Sequence, residues 1–101
     1  MIARGDLALE TPYYNVPYWE LKIIKLCKKY KKPVVVCTQM LDSLERNVQP
    51  TRAEVTDVYC AVSLGADATM LSGETASGND PVNAVKTMAT IIAAAEKRPI
   101  K

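Results

Sequence analysis

Three short β-favouring runs alternate along the chain with longer segments of helical periodicity. The runs cover residues 1–3, 33–37 and 68–71 and read MIA, PVVVC and ATML. Each run is too short for a helix, and each is followed by a polar loop and then by a helical segment. Because strands that alternate with helices pair in parallel through right-handed crossovers, the pattern predicts an α/β fold.

The first helical segment has apolar residues spaced four, four and three positions apart, which is the period of one helix face. These residues are Trp19, Ile23, Cys27 and Tyr30. We expect this face to pack inward against the sheet. A lysine-rich stretch over residues 28–32 marks the end of the helix, because cations suit the negative pole of the helix dipole.

The second and third helical segments begin with recognisable caps. Thr51 and Glu54 match a capping box, and Asp80 followed by Pro81 matches an N-cap with proline in the first turn. The second helix should end near Gly65, since glycine suits the left-handed C-terminal position. A further short turn is expected over residues 39–44. The residues expected to face inward are Val55, Val58, Tyr59 and Val62 in the second helix and Val82, Val85, Ala89 and Ile92 in the third.

Composition narrows the function classes. The chain has 101 residues, of which 49% are apolar and 24% charged, as in one globular domain or less. A formal charge of +2 is far from the basic surface that nucleic acid requires. No apolar run approaches the roughly 20 residues that span a bilayer, so we expect no membrane contact. The three cysteines and the absence of histidine favour reduced thiols in a cytoplasmic protein over disulfides or a zinc site.

Candidate chemistry collects where parallel strands end, because loops and helix N-termini converge there. The three segments at these positions are 4–6, 38–39 and 72–75, with sequences RGD, TQ and SGET. They offer a carboxylate for a hard cation, hydroxyls, and glycines that let backbone N–H groups approach an anion. Phosphate or carboxylate recognition is one interpretation. The other is structural, since Thr38 and Ser72 can end strands by bonding local backbone, and Gly5 and Gly73 can serve in turns.

Periodicity also leaves the architecture open between a doubly wound sheet and an arc of a barrel. A (β/α)₈ barrel needs eight such units and roughly 250 residues, so this chain would supply three of them.

Four longer segments resemble pyruvate kinases, and especially the bacterial members. They are MIARGDLALE at 1–10, PVVVCTQMLDSL at 33–44, PTRAEVTD at 50–57 and GADATMLSGETA at 65–76, in the family's order and spacing. The resemblance implies that residues 1–101 are a fragment of the catalytic domain. That fragment would be a partial TIM (β/α)₈ barrel, made of the last three βα units, strands 6–8 with their following helices.

The resemblance also implies residue roles. Asp6 resembles the aspartate that binds Mg²⁺ or Mn²⁺, and the backbone at Gly5 and Asp6, near Ala3, resembles the amides that hold the substrate carboxylate. Thr38 resembles the threonine implicated in protonating the enolate. Ser72 resembles a serine of the proton relay.

In that family a phosphoryl group passes from phosphoenolpyruvate to ADP in glycolysis, giving pyruvate and ATP, with Mg²⁺ and K⁺ as cofactors. The catalytic lysine and glutamate would lie before Met1, and the K⁺ ligands, lid domain and effector domain would also be absent. We therefore expect the isolated chain to be inactive. The parent is expected to be a homotetramer. The chain itself is expected to self-associate, because its outer strands are unpaired and residues 34–37 and 68–71 expose apolar barrel interior.

Two other functions stay open. The chain could be a free-standing, non-catalytic α/β interaction module, which requires that it fold independently. It could also be a small anion-binding α/β domain of another enzyme class.

Overall fold

A computed structural model describes residues 1–100 and contains one parallel sheet of three strands. The strands are β1 (Ile2–Ala3), β2 (Val35–Cys37) and β3 (Ala68–Met70), in the order β1-β2-β3. Both pairings are parallel. The predicted α/β fold with parallel strands is confirmed, and each strand lies inside its predicted run.

Five helices connect and flank the strands. They are α1 (Arg4–Glu10), α2 (Val16–Lys29), α3 (Arg52–Ser63), α4 (Gly73–Ala76) and α5 (Pro81–Lys97), with 3₁₀ turns at Tyr13–Asn15 and Asp42–Glu45. The expected polar loop after the first strand is wrong, because α1 begins directly after β1. At seven residues, α1 is too short to show the repeated stripe that marks a helix in sequence. No helix within residues 1–100 is long and apolar enough to cross a membrane.

The strand register sorts side chains onto two faces of the sheet. Ile2 and Val36 are partners and are fully buried on the same face, because partnered residues in parallel strands point to the same side. On the opposite face, Cys37 is buried and its thiol donates to the backbone oxygen of Ile2 at 3.2 Å. Its partner Met70 on the outer strand is 38% exposed.

The expectation that residues 34–37 are exposed is therefore wrong, except for half-buried Val35. The other three residues of this segment are at most 2% exposed, because Val34 and Val36 pack into the hydrophobic core with the helices and the Cys37 thiol bonds to the backbone of β1. The expectation holds better at the outer strand, where Ala68 and Met70 are exposed.

Helix α2 packs through a stripe shifted by one residue from the predicted one. Its buried residues are Glu20 and Ile24, while Ile23 and Cys27 are half-buried beside the core. Tyr30, predicted to face inward, is 64% exposed because it lies beyond the last helical residue.

Helix α3 matches its prediction. The Thr51 hydroxyl accepts from the Glu54 amide at 3.1 Å, and the Glu54 carboxylate accepts from the Thr51 amide at 2.9 Å. Val58 is buried at the centre of the predicted stripe. Gly65 follows the helix with φ of 104°, a left-handed conformation that favours glycine.

Helix α5 begins as predicted, with the Asp80 carboxylate accepting from the Asn83 amide at 3.0 Å. The predicted inward face is wrong for three of its four residues, since Val82 is 64% and Val85 54% exposed and Ala89 is also exposed. The helix is apolar around most of its surface, so a second stripe packs instead. That buried stripe is Ala84, Met88, Ile91 and Ala95.

Candidate functional site

The carboxyl ends of β1 and β2 meet around Gly5 and Thr38. Gly5 lies in the first turn of α1, and a Cβ atom placed on it would be 3.2 Å from Cγ2 of Thr38. The absence of a side chain at Gly5 therefore lets the first turn of α1 approach Thr38 closely. Two residues that the sequence marked as candidates, 33 positions apart, are neighbours in the fold.

The first turn of α1 can receive an anion. Ala3 precedes the helix, and its side chain caps nothing, so the first backbone N–H groups, including those of Gly5 and Asp6, have no acceptor within the helix. Asp6 lies in the same turn with its side chain exposed. Amide donors and a free carboxylate thus stand together at the end of β1.

Thr38 and Gln39 have an unusual backbone conformation. Their φ angles are 85° and 55°, in the left-handed region that side chains with a Cβ rarely adopt. Within residues 1–100, the half-buried Thr38 hydroxyl has only the Cys37 sulfur as an acceptor, at 3.8 Å. It is therefore available to a ligand, and consecutive left-handed residues are typical of functional sites.

Arg4 organises this end of the sheet. Its guanidinium donates to the backbone oxygens of Cys37 at 3.1 Å and Thr38 at 2.5 Å. It also contacts Asp57 at 2.5 Å and Glu20 at 3.3 Å. Although burial lowers its pKa, hydrogen bonds and charge attraction from Asp57 and then Glu20 hold the pKa of Arg4 above its ordinary value. Burial raises the pKa of Glu20, an effect that Arg4 only partly offsets.

Glu74 organises the loop after β3. It is 2% exposed, and its two carboxylate oxygens accept from the amides of Leu41 at 3.0 Å and Ser72 at 2.9 Å. Sequence reasoning gave no role to Glu74 or to the side chain of Arg4, because nothing local marks a partner so distant along the chain. The one local signal for both residues is a charged side chain next to a glycine at the end of a strand, as in Arg4-Gly5 and Gly73-Glu74.

Ser72 is exposed, and its hydroxyl makes no hydrogen bond within residues 1–100. No direct hydrogen bond joins it to Thr38 or Asp6 in that range, so the structure does not bring the three together as one contact set. A Cβ atom on Gly73 would meet the carboxylate of Glu45, a flexible side-chain end that would have to move aside.

The sequence singled out Asp6 as a candidate metal ligand. Within residues 1–100 no group of three or more His, Cys, Asp or Glu side chains could hold a metal ion. Asp6 is an exposed carboxylate of the kind that Mg²⁺ prefers, and such sites often use one or two carboxylates with substrate oxygens. The residues present therefore fit one protein ligand of a shared site.

Parallel strands with functional groups at their carboxyl ends define an α/β domain of the barrel or doubly wound class. A family model described as pyruvate kinase, barrel domain, matches residues 1–85. A pyruvate kinase of Mycoplasma pneumoniae is 66% identical over 91 residues, which cover 90% of this chain and 18% of the relative. One from Bacillus licheniformis is 54% identical over 97 residues, covering 96% and 17%.

A solved structure agrees with these matches. The crystal structure of a pyruvate kinase from Cryptosporidium parvum superposes with a TM-score of 0.93 at 47% identity, covering 95% of this chain and 20% of that one. The chain belongs to the pyruvate kinase barrel-domain family. It spans about a fifth of the length of the pyruvate kinases that it matches.

Proposed function

We propose that residues 1–101 form strands 6–8, with their helices, of the (β/α)₈ catalytic barrel of a pyruvate kinase. The observation that carries the proposal is the close approach of Gly5 to Thr38, which joins two family motifs at one edge of the sheet. Continuous similarity over residues 1–85 supports it. The outer strands β1 and β3 each pair on one side only within the described residues, as strands of an open arc would.

The proposed reaction moves the phosphoryl group from the enol oxygen of phosphoenolpyruvate to a terminal oxygen of ADP. The released enolate then takes a proton at its methylene carbon, giving pyruvate and ATP. Backbone N–H groups at Gly5 and Asp6, near Ala3, bind the substrate carboxylate, where fixed donors stabilise the charge that the reaction redistributes.

Asp6 is proposed to hold Mg²⁺ or Mn²⁺ together with ligands outside this chain. The cation, when bound, supplies Lewis-acid neutralisation of the anionic oxygens. K⁺ is the second proposed cofactor, and its ligands are proposed to lie in other parts of the enzyme. The Asp6 carboxylate suits its role because it is exposed and unpaired within residues 1–100.

Thr38 and Ser72 are proposed to handle the proton. The Thr38 side chain lies against Gly5, whose amide is proposed to bind the substrate carboxylate, and its hydroxyl positions the proton donor at the enolate carbon. Ser72 continues the relay through water, which suits an exposed hydroxyl that makes no hydrogen bond within residues 1–100.

The isolated chain is proposed to be inactive and to self-associate, whereas the parent would be a homotetramer. Exposed Ala68 and Met70 on β3 and the free edges of β1 and β3 support self-association, because such edges pair with other chains.

A chimeric enzyme tests the proposal. In it, this chain replaces the matching segment of the Mycoplasma pneumoniae pyruvate kinase, and pyruvate formation is measured with phosphoenolpyruvate, ADP, Mg²⁺ and K⁺. We expect the chimera to turn over and the chain alone to show none. Thr38→Ala in the chimera should lower turnover by about 100-fold, the order expected for a group in proton transfer, and change the Michaelis constant little.

Thr56→Ala is the matched control, since Thr56 is exposed on α3 and its side chain makes no hydrogen bond within the described range. An inactive chimera that folds would contradict the proposed function. Steady turnover by the purified chain alone would contradict its dependence on other parts of the enzyme.

A further inference from the structure

Arg4 holds the backbone on both sides of Thr38. Its Nε donates to the Cys37 oxygen at 3.1 Å, and its Nη2 donates to the Thr38 oxygen at 2.5 Å. These two carbonyls belong to the peptide groups before and after the Thr38 Cα atom. Fixing both peptide planes fixes the φ and ψ angles of Thr38.

The guanidinium is itself braced from the helix layer. Nη1 is 2.5 Å from the Asp57 carboxylate on α3 and 3.3 Å from the Glu20 carboxylate on α2. The side chains of Arg4 and Glu20 are 14% and 11% exposed, so these contacts are largely shielded from water. Since a guanidinium is a rigid planar fork, holding Nη1 on one side sets the direction of Nε and Nη2 on the other.

The conformation that Arg4 holds needs support. A residue with a Cβ in the left-handed region costs about 1–3 kcal/mol and persists only where its surroundings over-determine it. Thr38 and Gln39 adopt this conformation consecutively. Gly5, the next residue after Arg4, packs against the Thr38 side chain, so one dipeptide contacts both the backbone and the side chain of Thr38.

We propose that Arg4, braced by Glu20 and Asp57, is a positioning residue that imposes the left-handed backbone of Thr38 and thereby sets how the Thr38 side chain lies against the first turn of α1. The catalytic meaning of this role rests on the proposed function, but the backbone role does not. A lysine cannot replace Arg4, because a single ammonium lacks the fork that reaches four acceptors in fixed directions.

Kinetics in the chimera separate positioning from simple stabilisation. Arg4→Lys should lower turnover by about 10- to 100-fold, the effect of misplacing a reacting group by about 1 Å, with little change in the Michaelis constant for phosphoenolpyruvate. If Arg4 acts through Thr38, the double variant with Thr38→Ala should be no slower than Thr38→Ala alone. Multiplicative losses in the double variant would overturn the proposal.

Hydrogen–deuterium exchange of the 101-residue chain gives a readout that does not depend on activity. Arg4→Lys should speed amide exchange over residues 38–41 while leaving α2 and α3 protected. Arg46→Lys is the matched control, because Arg46 is exposed and its guanidinium makes no hydrogen bond within residues 1–100. Faster exchange spread evenly through α2 and α3 would show that Arg4 only joins the helices, and would overturn the proposal.

If Arg4→Lys does not fold, Asp57→Asn provides a second test of whether Arg4 holds the backbone of Thr38. The amide retains the size of the carboxylate and one oxygen acceptor, so the brace weakens without being removed. We expect the same local pattern of exchange at smaller amplitude, and unchanged exchange at 38–41 would count against the proposal. If the wild-type chimera is inactive, the proposed function fails, while the exchange experiment still decides the role of Arg4.

Discussion

The loops after β2 and β3 are each held by one charged side chain, but in opposite ways. In the Thr38 loop a cation from another element, Arg4, donates to backbone oxygens. At the Ser72 loop an anion from the first turn of α4, Glu74, accepts from backbone amides. The first loop is held by a residue distant along the chain, and the second by a residue two positions after Ser72.

The two loops are also joined, because Glu74 accepts from the amide of Leu41, three residues after Thr38. The Thr38 loop therefore has two anchors, one at each end, while the Ser72 loop has one. The strained backbone lies between the two anchors, since left-handed φ angles occur at Thr38 and Gln39. A backbone held at both ends can keep a conformation that a singly anchored loop would relax.

Removing the shared anchor should have the largest effect. Glu74→Ala leaves the amides of Leu41 and Ser72 without their acceptor. The unsatisfied donor at buried Leu41, together with the bond lost at Ser72, should lower the free energy of unfolding by about 3 kcal/mol. Urea unfolding of the chain at fixed concentration measures this. Glu74→Gln is the matched control, since it keeps one oxygen acceptor and should lose less. Equal free energies of unfolding for Glu74→Ala and wild type would show that Glu74 does not anchor the two loops.

Relieving the strain between the anchors should have a smaller and opposite effect. Gln39 is exposed with φ of 55°, so Gln39→Gly should raise the free energy of unfolding by about 1 kcal/mol, the usual cost of a Cβ in this region. Gln49→Gly is the control, because its φ is not positive and added chain entropy should make it slightly destabilising. A loss of stability at Gln39→Gly would mean that the loop is not strained.

The smallest effect comes from Glu54, which accepts from Ser43 in the turn Asp42–Glu45, and it depends on pH. Burial raises the pKa of Glu54, but hydrogen bonds from Ser43 and then Thr51 outweigh it and hold the pKa below its ordinary value of 4.5. The stabilisation is therefore present above pH 4.5 and is lost as the pH falls through the lower pKa of the folded form. Glu54→Gln should remove this loss and cost about 0.5 kcal/mol at neutral pH, because the amide keeps one oxygen acceptor.

Unfolding measured between pH 3 and pH 7 tests this prediction, with Glu96→Gln as control because Glu96 is exposed on α5 and accepts no hydrogen bond within residues 1–100. An identical slope of stability against pH in wild type and Glu54→Gln would be inconsistent with a lowered pKa.

Local signals explain what the sequence predicted correctly. The caps at Thr51 and Asp80 and the glycine at 65 need only a few neighbouring residues, and each is confirmed by its contacts. The buried face of α5 could not be chosen in the same way. Its apolar residues fill more than one face, so only tertiary packing decides that Ala84 and Met88 are buried while Val82 is exposed.

The site shows the same division. Thr38 and Gly5 could be singled out because they follow predicted strands, and the structure brings them together. The role of Arg4 could not be predicted, since its partner Asp57 lies 53 positions away on another helix. Periodicity and spacing carry no information about such a contact before the fold is known.

The reactivity of the buried Cys37 thiol can report how often the sheet opens between β1 and β2. Cys37 is 2% exposed and donates to Ile2 across the β1–β2 pair, whereas Cys27 and Cys60 are partly exposed. A thiol reagent should therefore titrate two groups quickly and the third only when β1 separates from β2. The rate of that slow phase would measure how often the edge strand detaches, without any label added to the chain.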